Sequence, residues 1–185
     1  MASTTRRYEN CPAFIYDEDG GLVGSSRITE HDRYNVSIRV SGEFKEIKQG
    51  SRLNVLIVHD GGASEYNGVA RGAAKNEREI SLFNHQERDG RNSIRHTVDS
   101  PAVIEHTIVA GERVPLYAPL EVTIVNISTT GALVRSPVGL FSVGTVLEVV
   151  LRVDGQDNRL LGEIVRLKAN LRGTWDYGFK FIVSA

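Results

Sequence analysis

The sequence predicts an all-β protein made of two consecutive six-stranded antiparallel barrels. Three observations predict it. Apolar residues recur with period two along most of the chain, glycine-bearing turns separate the short runs, and no stretch holds a helical apolar spacing for three or more turns. Two sets of about six short strands with tight turns suggest small barrels or sandwiches, in which each strand buries one face.

The first ten residues are polar and read as a flexible lead-in. Pro12 to Tyr16, a turn at Asp19-Gly20-Gly21, and Leu22 to Thr29 read as a hairpin. Val36, Ile38 and Val40 alternate with Ser37 and Arg39, and Leu53, Val55 and Ile57 alternate likewise, so each run is a half-buried strand. Asp60-Gly61-Gly62 turns the chain, and Tyr66 to Gly72 and Glu79 to Phe83 complete the first set. The polar segment from Asn84 to Asn92 carries Asp89-Gly90 and no apolar period, which marks a boundary. The second set runs Ala102 to Val109, Leu120 to Ile127, Ala132 to Arg135, Thr145 to Val153, Arg159 to Leu167 and Tyr177 to Val183. The expected organisation is therefore a lead-in over 1–10, a first barrel over 11–86, a linker over 87–96 and a second barrel over 97–185.

Bulk properties narrow the function. With 22 basic and 23 acidic residues the charge is nearly balanced, and only 7% of residues are aromatic, which argues against a nucleic-acid polymer as partner. One cysteine, Cys11, leaves no internal disulfide and fits a reducing compartment. The polar start leads into no apolar h-region, and no apolar run approaches the roughly 20 residues that span a bilayer. A cytoplasmic protein without membrane insertion is expected. The five histidines show no metal-ligand spacing, and Ser93, His96 and Asp99 lack a nucleophile elbow, so neither a metal site nor catalysis is expected.

Any anion recognition must then be local, and two stretches offer it. Arg91-Asn92-Ser93-Ile94-Arg95 places two guanidiniums at the boundary, each able to fork onto phosphate oxygens and stack on a flat ring. Alone, such a pair reads more often as solvated linker charge. Asn126-Ile127-Ser128-Thr129-Thr130-Gly131 ends one strand and starts another, with small polar side chains that can bond a base edge or a phosphate. Gly131 there permits positive φ or a close backbone approach. Alone, it reads as an ordinary hairpin.

In this order, at the start of a six-stranded barrel, RxxxR followed by NxSxxG resembles the PilZ domain, a family of bacterial receptors for cyclic di-GMP. The resemblance spans roughly residues 88–185 and includes Gly131-Ala-Leu-Val-Arg135-Ser and Gly178-Phe-Lys-Phe181. More loosely, the first barrel resembles the N-terminal barrel of flagellar-brake-type, two-domain PilZ proteins. The resemblance implies that Arg91 and Arg95 contact phosphate and guanine from the linker, and that Asn126, Ser128 and Gly131 contact them from the barrel. Arg88 and Gly178 are further positions of the same site. Asn126 stands where many members carry Asp, and an amide both donates and accepts where a carboxylate only accepts. Thr130 replaces a frequent glycine, and Gly90 stands where many members carry an extra arginine.

The resemblance implies a receptor rather than an enzyme, with cyclic di-GMP as ligand and no cofactor. Ligand would draw the arginine segment against the Asn126–Gly131 turn and change the arrangement of the two barrels. The readout would pass through protein contacts, to the flagellar motor or the polysaccharide synthesis machinery, with a homodimer as one form of assembly. A ligand-independent adaptor on the same fold is the alternative.

Overall fold

The computed structural model describes residues 8–32, 37–42, 44–45, 47–60, 62–74, 77–83 and 93–182. All regular elements among them are strands. Six form the first barrel: β1 (Pro12–Tyr16), β2 (Leu22–Asp32), β3 (Ser37–Ser41), β4 (Arg52–His59), β5 (Gly62–Ala74) and β6 (Glu77–Phe83). They run in the order β1-β2-β3-β6-β5-β4, and β4 returns to β1 with Ala13 opposite Ile57 and Ile15 opposite Val55. Six more form the second barrel: β7 (His96–Val109), β8 (Glu112–Ser128), β9 (Gly131–Ser136), β10 (Val146–Val153), β11 (Gln156–Ala169) and β12 (Trp175–Phe181). Their order, β7-β8-β9-β12-β11-β10, closes through β10 on β7 with Leu151 opposite Ala102. The two barrels thus share one strand order without an evident sequence repeat. Closure pairs both sides of every strand and leaves no long exposed sheet edge.

The period-two pattern becomes the inside and outside of each barrel. Ile15, Ile28, Ile38, Val55, Ile57 and Ile80 fill the first core, and Ile104, Ile124, Ile127, Val149, Leu151 and Phe179 are buried in the second. Each such side chain contributes about 1.5–3 kcal/mol by leaving water. No helix among the described residues is long and apolar enough to cross a membrane.

The lead-in requires a correction at its end. Residues 1–7 lie outside the described residues, but Tyr8 is buried in the first core. Its hydroxyl shares a 2.8 Å hydrogen bond with that of Tyr66, and its ring lies 5.1 Å from that of His31. An aromatic ring with two such partners gains more from burial than a loose chain end keeps in entropy.

The strands of the second barrel also reach further than the alternation indicates. β7 begins at His96 rather than Ala102, and β8 begins at Glu112 rather than Leu120. The added length of β8 pairs with the end of β7 as a hairpin arm closed by a two-residue turn at Ala110 and Gly111. Both have positive φ, 51° and 86°, the backbone hand that matches strand twist. Near its base, Glu148 on β10 is buried and takes two guanidiniums. Arg113 Nη2 donates to Oε2 and Arg159 Nη1 to Oε1, each at 2.6 Å.

Candidate anion-binding site

A change of phase within β8 prepares the site. Val122 and Ile124 point inward, and continued alternation would carry Asn126 and Ser128 inward as well. Instead the register of β8 against β9 shifts between Ile124 and Asn126, so that Ile124 faces Val134 and Asn126 faces Leu133. Val125 is the extra residue of this bulge. Ile127 consequently joins the buried apolar residues, while Asn126 and the buried Ser128 line a cleft on the barrel's flank. Bulges re-aim side chains in this way beside functional sites.

A second bulge lies across the cleft. The β11–β12 register shifts between Ile164 and Arg166, leaving Arg166 opposite Gly178. On β12, Tyr177, Phe179 and Phe181 are buried, so Gly178 and Lys180 belong to the outer face. Lys180 stands opposite Gly131 and Gly178 opposite Leu133. Two glycines therefore lie on neighbouring strands at the cleft. Gly131 serves the close approach, since a Cβ there would strike the Phe179 carbonyl oxygen. It is not among the residues of positive φ.

The turn joining β8 and β9 is tight. Ser128 pairs with Gly131, and the Ser128 hydroxyl donates to the Gly131 carbonyl at 3.2 Å, leaving Thr129 and Thr130 at the tip. Thr129 is tied to the arginine segment. Its Oγ1 lies 2.8 Å from Ser93 Oγ, and its N–H donates to the same Ser93 oxygen at 3.1 Å. Ser93 is thus already held against the turn by the protein itself.

The cleft, of about 170 Å³, is lined by Arg95, Asn126, Ser128, Gly131 and Gly178. Five of the seven positions expected from the sequence come together here. The other two, Arg88 and Arg91, lie outside the described residues. Sequence reasoning did not assign Arg166 and Lys180, which line the same cleft. Lys180 had a signal, because it alternates with Phe179 and Phe181. Arg166 had none, because its place depends on the β11–β12 register. Among the described residues, three cations and no carboxylate line the cleft, so its field favours an anion. Among the described residues, no group of three His, Cys, Asp or Glu side chains is placed to hold a metal ion.

Beside the cleft, Arg135 grips both carboxylate oxygens of Asp176, from Nε at 2.7 Å and from Nη2 at 3.1 Å. The hydrogen bond from Arg135 outweighs the opposing effect of burial and holds the Asp176 carboxyl below the usual carboxylate range, with a lesser hydrogen bond from Asn170 acting in the same direction.

Fold and cleft together define a closed six-stranded β-barrel domain with a cationic cleft on its flank. Residues 88–184, more than half of the chain, match the PilZ domain, and the chain belongs to that family. None of the curated proteins compared matches it. Among solved structures it is similar to MrkH of K. pneumonia in complex with c-di-GMP, with 15% identity and a TM-score of 0.39 over 95% of this chain and 80% of that one. It is also similar to the Bacillus subtilis inhibitor of motility MotI/DgrA, with 13% identity and a TM-score of 0.39 over 97% and 90%. A third similar structure is YcgR of Escherichia coli in complex with c-di-GMP, with 12% identity and a TM-score of 0.37 over 94% and 76%.

Proposed function

We propose that this chain is a cytoplasmic receptor for cyclic di-GMP and that the cleft is its binding site. The observation that carries the proposal is Arg95 standing in one cleft with Asn126, Ser128 and Gly131, inside a PilZ domain. The ligand has two phosphates and two purines. Guanidiniums serve the first by charge and forked hydrogen bonds and the second by stacking. Asn126 and Ser128 offer donors and acceptors to a base edge or a phosphate. Gly131 lets β9 pack close against β12, and Gly178 leaves room for the Arg166 side chain, which brings a further cation to the cleft.

At about 170 Å³ the cleft is smaller than the roughly 300–1,000 Å³ of pockets that enclose a ligand. A dinucleotide then rests across it and leaves one face for the arginine segment. Full ordering of that segment between the barrels would change their arrangement, a switch by ordering a segment. The signal would pass to a protein target in motility or exopolysaccharide output.

Calorimetric titration with cyclic di-GMP tests the site. Removing a charge-assisted arginine contact costs about 1.5–3 kcal/mol, which is roughly ten- to a hundredfold in affinity. Arg91→Ala and Arg95→Ala are each expected to lose that much. Unchanged affinity in both would remove the site assignment, and no heat with the parent chain would leave a ligand-independent adaptor.

A further inference from the structure

Ser93 stands midway between Arg91 and Arg95, and a single turn residue holds it twice. The Ser93 and Thr129 hydroxyls lie 2.8 Å apart, and the Thr129 amide donates to Ser93 Oγ at 3.1 Å. Two bonds to one oxygen fix its direction as well as its distance. The anchor is itself stiff. Thr129 belongs to a two-residue turn whose flanks, Ser128 and Gly131, pair with each other and share a further hydrogen bond at 3.2 Å. Two-residue hairpin turns have few alternatives.

We infer that Ser93 and Thr129 are positioning residues, whose paired hydroxyls hold Arg95 over the cleft before an anionic ligand arrives. This rests on the cyclic di-GMP reading of the cleft. Consecutive Cα atoms are about 3.8 Å apart, so fixing Ser93 confines Arg95 two residues on to a small volume, and that volume borders the cleft. An unanchored segment would have to lose backbone and side-chain freedom when ligand binds, and affinity would fall accordingly. The pair carries no charge. It acts through where Arg95 stands, not through the cleft's field.

Three variants of the full chain test this: Ser93→Ala, Thr129→Val and the double substitution. Ser93→Thr retains the hydroxyl as a control. The first readout needs no ligand. In Ser93→Ala the Thr129 amide loses its acceptor, and its hydrogen exchange is expected to accelerate about tenfold. The second readout is titration with cyclic di-GMP. Thr129→Val, which removes one of the two bonds, is expected to bind about three- to tenfold more weakly, the usual net effect of one hydrogen bond, and Ser93→Ala, which removes both, at least as weakly. The double variant should be no worse than Ser93→Ala, and Ser93→Thr should bind like the parent. Because no charge is removed, the slope of affinity against salt should not change.

Accelerated exchange with unchanged affinity overturns the positioning role and leaves the binding reading intact. Additive losses in the double variant overturn it too, because they would show that the two hydroxyls act separately. A parent chain that does not bind cyclic di-GMP overturns the binding reading itself, and the positioning role with it.

Discussion

The carbonyl oxygen of Phe179 occupies the space that a side chain on Gly131 would need. A Cβ built there would also lie 3.3 Å from Lys180 Cα, so backbone meets it on two sides and neither contact can swing away. Gly131→Ala must push β9 off β12 at the lip of the cleft. Overpacking of this kind costs about 1–3 kcal/mol. For a chain of this size that is a drop of several degrees in melting temperature. Thermal unfolding followed by circular dichroism measures it, and an unchanged midpoint would remove the steric account.

Gly178 is expected to behave differently. The three atoms nearest to a Cβ there all belong to the side chain of Arg166, which is exposed and can turn outward. Gly178→Ala should therefore keep the parent melting temperature while displacing Arg166 from the cleft. Its affinity for cyclic di-GMP should fall as Arg166→Ala does, by roughly tenfold or more. Equal melting losses in Gly131→Ala and Gly178→Ala would contradict this division of roles.

How far the sequence could be read follows from these positions. Period-two runs such as Leu147, Val149, Leu151 and Val153 carry their burial in plain view, and both barrels were legible from them. The bulge in β8 was also written in the chain, as a slip from Val122 and Ile124 to Ile127, though a simple alternation passes over it. The start of β8 was not legible. Val114 to Leu120 contains two prolines and no alternation, and the hairpin there depends on Arg113 reaching a carboxylate 35 residues away. Tyr8 likewise lies in a polar run, and its partners His31 and Tyr66 are distant in sequence. Arg95, which lines the cleft, was legible as part of a motif. Arg166, placed by a cross-strand register alone, was not.

Glu148 makes a prediction about order of damage. Its side chain is 5% exposed, whereas those of Arg113 and Arg159 are 58% and 43% exposed. Removing the acid leaves two guanidiniums that water can solvate. Removing both arginines leaves a carboxylate buried without compensation, a loss of about 3–5 kcal/mol. Urea unfolding should place the Arg113→Met, Arg159→Met double variant well below Glu148→Leu in stability. The reverse order would mean that the carboxylate is not buried as described.

Asp176 adds a pH dependence whose sign can be worked out. Arg135 holds its folded carboxyl below the usual range, while the unfolded chain titrates near pH 3.9. The unfolded state then takes up a proton first as pH falls, and stability declines with it. The contribution is fully present above the unfolded value and is lost as pH drops through the lower folded one. Asp176→Asn removes the titrating group but keeps its shape. The stability gap between parent and Asp176→Asn should therefore be constant from pH 7 to about pH 5 and should narrow below about pH 4. Urea midpoints measured across that range test this. A gap that stays flat to pH 2 would mean that Arg135 does not hold the carboxylate in its charged form.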